Sequence, residues 1–131
     1  NKVTSGLTDI ATTSYTDVIN ENITITPLST TSTMYIEFNF KTMFINTSGR
    51  TDEIVRIVEG ASNVLTYQTG AQVDQNTALP YTLQAKYDNT TLTNKTFKLQ
   101  SKRSTGPMAL RHNHDTVNNI SNIRIWEVEN S

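Results

Sequence analysis

The chain has 131 residues, 11 basic and 12 acidic side chains for a formal net charge of -1, and no cysteine. That length fits one domain, 1–131. The missing cysteines exclude disulfides and thiolate metal sites, and the balanced charge gives no electrostatic footprint for nucleic acid. No apolar run approaches the ~20 residues of a spanning helix, so no membrane insertion is expected. The chain opens at Asn1 with no charged-then-apolar leader, as expected of a processed chain or a piece of a longer one. Its bias is toward Thr (23) and Asn (14), against only 5 Gly and 3 Pro. Thr is β-branched and suits a half-wet pleated surface, while Asn bonds nearby backbone in turns.

Several segments alternate with period two, the mark of strands with one wet face. Asn22 to Thr26 places Ile23 and Ile25 on one side, and Pro27 closes the strand. Ser29 to Thr33 reads as a polar loop. The longest strand follows: Met34, Ile36, Phe38 and Phe40 share one face, Tyr35, Glu37, Asn39 and Lys41 the other, and the strand continues through Met43, Phe44 and Ile45. Asn46 to Asp52 contains Ser48-Gly49 and reads as a turn. Glu53 to Glu59, ended by Gly60, pairs with Val64 to Gln68 as a hairpin, and Gly70 to Ala78 reads as a loop. Tyr81, Leu83, Ala85 and Tyr87 alternate with polar residues, and a turn over Asp88 to Asn94 leads to Phe97 to Lys102, read as the other arm of a second hairpin. Ser104 to Asn119 is irregular, with an apolar break at Met108 to Leu110. Ile123 to Val128 is the final strand. No sustained helical stripe occurs. About eight strands at this spacing predict an all-β, antiparallel β-sandwich that is jelly-roll-like, with no internal repeat.

Candidate chemistry is sparse. His112 and His114 are the only histidines; at i and i+2 they would project together from a strand as metal ligands, although a solvated loop is the competing reading. Asp115 is the sole further ligand type beside them. The twelve acids are scattered, without an obvious pair for glycoside hydrolysis, and no Gly-x-Ser-x-Gly elbow or phosphate-binding glycine loop is present. No catalytic residue and no cofactor are expected. Glu37 is expected on the face opposite Ile36 and Phe38, toward solvent or an interface. Sugar recognition pairs an aromatic platform with amide and carboxylate groups, and Tyr67, Tyr87 and Trp126 are the candidates, with Tyr81 beside them; Trp126, next to Glu127, is read first as packing. Sequons stand at Asn22, Asn46, Asn89, Asn94 and Asn119.

Thr12-Thr13-Ser14-Tyr15-Thr16-Asp17-Val18, then Asn22-Ile23-Thr24-Ile25-Thr26-Pro27, then a Ser/Thr loop and an apolar strand form a series of short motifs, closed at the far end by Ile123-Arg124-Ile125-Trp126-Glu127-Val128. The series resembles the β-sandwich surface modules of marine, cyanophage-like bacteriophage tail-fibre or head-decoration proteins. Lys98 to Arg103 only loosely matches the arginine-bearing, glycine-flanked strand of such modules. The resemblance implies a virion surface location, extracellular, and a structural, non-enzymatic role, with no catalytic residues to carry over. The expectation is a homo-oligomer, taken as a trimer, contacting other virion proteins and binding a host surface glycan as receptor. Apolar residues on both strand faces, such as Met43 with Phe44 and Trp126 with Ile125, point toward burial against neighbours. The alternatives are a lectin-like carbohydrate-binding module not tied to a virion, and a polysaccharide-degrading enzyme, which would need a clustered pair of acids.

Overall fold

The computed structural model describes residues 2–4, 8–73, 76–112 and 121–130. These residues form ten strands: β1 (Lys2–Thr4), β2 (Thr8–Ile10), β3 (Thr16–Ile25), β4 (Ser32–Ile45), β5 (Gly49–Glu59), β6 (Ser62–Val73), β7 (Thr77–Asp88), β8 (Lys95–Thr105), β9 (Ala109–His112) and β10 (Ser121–Glu129). They build two antiparallel sheets, a sandwich as the alternation predicts. The larger sheet is organised on β4. One edge of β4 pairs with β7 over Thr33 to Phe44; the other pairs first with β10, over Ser32 to Asn39, and then with β9, over Thr42 to Ile45. β1 continues outward from β10 and β2 from β9, giving six strands. The smaller sheet has the order β3-β8-β5-β6. From β2 to β9, every connection except the β5–β6 hairpin passes from one sheet to the other.

The period-two pattern decides what fills the space between the sheets. Met34, Ile36, Phe38, Phe40 and Phe44 of β4 point inward and meet Val55 and Ile57 of β5 and Phe97 and Leu99 of β8; Met108, Leu110 and Ile123 complete the same cluster. Phe38, Phe44, Phe97, Ile57 and Leu99 are fully buried, and each contributes about 1.5–3 kcal/mol by leaving water.

Several expectations change. The segment 70–78, read as a loop, is largely strand: β6 runs to Val73 and β7 starts at Thr77. Pro80 lies inside β7, which it can do because, among the described residues, β7 pairs only with β4 and no strand draws on a donor at its other edge. Tyr81–Tyr87 and Phe97–Lys102 are not arms of one hairpin, since β7 pairs with β4 and β8 with β3 and β5. The polar run 89–94 crosses between sheets instead, and Tyr87 meets Phe97 edge-on across the core, ring centroids 5.4 Å apart. The expected turn at Asn46 to Asp52 is shorter, because β5 already starts at Gly49. Within the irregular stretch lies β9, invisible as a four-residue strand until it finds β2 and β4.

At one end of the sandwich, carboxylates of β10 hold the loop before β4. Glu127, at the end of β10, accepts the backbone N–H of Leu28 (2.9 Å to Oε1, 3.1 Å to Oε2) and of Ser29 (3.3 Å), together with the Ser32 hydroxyl. Glu129 accepts from the hydroxyls of Thr31 and Ser29.

At the β8–β9 crossing, Gly106 has φ +97°, and a Cβ there would stand 2.2 Å from the Arg50 carbonyl oxygen and 2.5 Å from Thr51 Cα. Gly60, in the β5–β6 turn, has φ +57° and open space around it. Gly60→Ala should therefore cost about 1–2 kcal/mol from backbone conformation alone. Gly106→Ala adds a collision with backbone and should cost about 3 kcal/mol or more. Urea denaturation of the two variants checks the order; equal costs would contradict the packing described for Gly106.

Candidate functional site

From Met34 to Phe40 the inner positions of β4 are apolar, and at Thr42 the core turns polar. Thr42 and His112 are register partners on β4 and β9, while Glu53 and Ser101 project inward from β5 and β8. All four are fully buried. Glu53 Oε1 accepts from Thr42 Oγ1 at 2.8 Å; Oε2 accepts from Ser101 Oγ at 2.6 Å and lies 2.8 Å from His112 Nε2. The Phe40 ring covers the imidazole, centroids 5.6 Å apart. A carboxylate is thus clamped between the two sheets by donors from both.

Burial works to raise the Glu53 pKa. The charge and hydrogen bond of His112, with the hydroxyls of Ser101 and Thr42, override it and hold the carboxyl below the usual glutamate value. Chemically this cluster is a fastener. Ser101 donates its hydrogen bond to the carboxylate rather than to the imidazole, and all four side chains are shut off from solvent. The sequence reading of His112 as a metal ligand or loop residue meets a different placement: it sits in β9 with Nε2 committed to Glu53. His114 lies outside the described residues. Among the described residues no group of three or more His, Asp or Glu side chains could hold a metal ion.

The aromatic candidates do not converge. Tyr87 packs against Phe97. Tyr67 stands on the edge strand β6 beside Val55, and Tyr81 leans on Phe40. Trp126, read first as packing, faces away from the core and is 49% exposed. Its register partner is Tyr35, itself 44% exposed, and Val128 follows two residues along the same face. Beside this pair runs a ladder of polar side chains. Asn39 Nδ2 donates to Glu37 Oε1 (2.8 Å) and to Asn122 Oδ1 (2.9 Å), Gln84 Nε2 donates to Glu37 Oε2 (3.0 Å), and Thr82 Oγ1 donates to Asn39 Oδ1 (2.6 Å). The amides of Asn39 and Gln84, with the nearby charge of Arg124, hold the Glu37 carboxyl below its usual value. Glu37 faces outward, as the alternation predicts. Sequence reasoning missed Tyr35 as a partner of Trp126. Alternation put it on the outer face, but only the β4–β10 pairing makes the two residues neighbours. Of the sequons, Asn89 is buried and donates to Ser32 Oγ at 2.8 Å, and Asn119 lies outside the described residues.

No family model and no curated protein matches the chain.

The clamp makes two measurable claims. Glu53→Ala strands His112 and two hydroxyls in the core and should cost about 3–5 kcal/mol. Because the folded pKa of Glu53 is depressed, its stabilisation is fully present above the ordinary glutamate range and is lost as pH falls through the lower folded value. Thr42→Val removes one donor, should cost about 1–2 kcal/mol at neutral pH, and raises that folded value, so the acid limb of the stability–pH curve should move upward. An acid limb unchanged in Thr42→Val would contradict this account.

Proposed function

We propose that the protein is a structural module of a virion surface, of the tail-fibre or head-decoration kind, that assembles as a homo-oligomer through the outer face of its six-stranded sheet. The observation that carries this reading is the apolar content of that face. Val3 (65% exposed), Tyr35, Trp126 and Val128 stand on adjoining strands, outside a core that is already complete without them. Large apolar side chains gathered on one face of a small domain mark a contact surface, and a copy of the same chain is the simplest cover for it. The series of motifs from Thr12 to Pro27 and the closing Ile123–Val128 strand supply the virion part of the reading by their resemblance to phage surface modules. A sandwich without cysteine also draws its stability from packing and assembly rather than from disulfides.

A second reading, a carbohydrate-binding module that uses the same face, is favoured by the hydrogen-bonded ladder Glu37, Asn39, Gln84 and Thr82 beside Trp126. An aromatic ring flanked by fixed amide and carboxylate groups is the chemistry that sugars require.

Light scattering should give about three times the 14.7 kDa chain mass at micromolar concentration. Trp126→Lys combined with Tyr35→Lys should return the mass to that of the monomer while the far-ultraviolet circular dichroism keeps its strand signature. A monomeric wild-type chain would overturn the assembly reading. Binding to neutral oligosaccharides lost in Trp126→Ala would then favour the second.

A further inference from the structure

The outer face of the smaller sheet has a different character. On β8, Lys98, Gln100 and Lys102 point outward; Arg56 of β5 is the register partner of Gln100 on one side and Asp17 of β3 on the other. We infer that this strip, built on Arg56, Lys98, Lys102 and Tyr15, binds an anionic polysaccharide.

Three cations share the strip with one carboxylate, an excess of positive charge on a chain whose formal net charge is -1. The cations are held in place. Arg56 Nε donates to Gln100 Oε1 at 2.7 Å, and Gln100 Nε2 donates to Asp17 Oδ1 at 2.7 Å. Lys98 Nζ lies 3.3 Å from Asp17 Oδ2. The Arg56 guanidinium carbon stands 3.7 Å from the centre of the Tyr15 ring, and Lys102 Nζ stands 4.6 Å from it. The negative face of the ring offsets the repulsion between these two cations, so both can be kept close together while their remaining N–H groups serve an incoming anion. The Gln100 amide adds a neutral hydrogen-bonding group of the sort a sugar uses.

Spacing favours a polymer over a small anion. The Cα atoms of Lys98 and Lys102 are about 14 Å apart at ~3.4 Å per residue, and the Arg56 and Lys102 head groups meet at Tyr15, so the strip offers two cationic points along β8, Lys98 and the Arg56–Lys102 pair. Successive carboxylates or sulfates along a sugar chain lying on β8 would each meet a cation. A nucleic acid fits less well, because the Tyr15 ring is engaged by Arg56 and Lys102 rather than presented to a base. The strip is on the opposite side of the molecule from Tyr35 and Trp126, so a copy docked there leaves it open.

The test is titration of the full chain with dextran sulfate and polygalacturonate, with neutral dextran and single-stranded DNA in parallel. The wild type should bind one or both anionic polysaccharides, more weakly as salt rises, and should ignore neutral dextran. Lys98→Gln with Lys102→Gln should weaken binding about tenfold or more and flatten the salt dependence. Lys41→Gln with Lys86→Gln, on the opposite sheet, should change affinity less than about twofold. Tyr15→Phe should bind as the wild type, and Tyr15→Ala should lose several-fold. Thermal melting of each variant shows whether it is folded. Binding to neither polysaccharide would overturn the inference, as would equal loss from both lysine pairs or single-stranded DNA held as tightly as the sulfated polymer.

Discussion

Everything in this fold is referred to one strand. β4 is fourteen residues long and carries a strand on each edge, with β10 and β9 dividing one edge between them. Its strict alternation means that the same residues that pair with three neighbours also choose the core. A slip of one residue would exchange Met34, Ile36, Phe38 and Phe40 for Tyr35, Glu37, Asn39 and Lys41. No other register leaves both faces satisfied, so the pairing of β4 is specified along its length by what it would otherwise bury.

The polar position on the inner face of β4 follows from the same constraint. Thr42 points inward because Phe40 and Phe44 do, and an inward hydroxyl needs a partner. Glu53 supplies one, and the remaining capacity of its carboxylate takes in Ser101 and His112. An ion buried this deeply gains little net stability over well-packed hydrocarbon. What it adds is discrimination. A misregistered pairing of β5 or β9 would leave a carboxylate or an imidazole in the core without its counterpart. The sandwich is therefore aligned across its two layers at one end by hydrocarbon shape and at this point by charge.

Much of the fold could be read in the order of residues. The alternation of β4, the Gly60 turn and the β5–β6 hairpin are local, and local signals survive inspection of one chain. The failures are non-local. Tyr81–Tyr87 and Phe97–Lys102 have the pattern of a hairpin, and only their separate partners, β4 and β3 with β5, show that they belong to different sheets. The four residues of β9 carry too short a pattern to stand out. Glu53 gave no warning of its burial, since an acid at the start of an apolar segment looks like a strand end. The pairing of Trp126 with Tyr35, and the approach of Arg56 and Lys102 to Tyr15, depend on strand order, which is not written in any one segment.

The grip of Glu127 on the loop before β4 bears on how this chain can vary. The carboxylate takes hold of the backbone N–H groups of Leu28 and Ser29, so the shape of the loop is independent of the side chain at position 28. Leu28 is 87% exposed, and its side chain contributes nothing to that grip. The position tolerates any residue that keeps its amide hydrogen, proline alone being barred. Such a loop tip is a place where a lineage can change what it displays without renegotiating how it folds, a variable letter on a fixed mount.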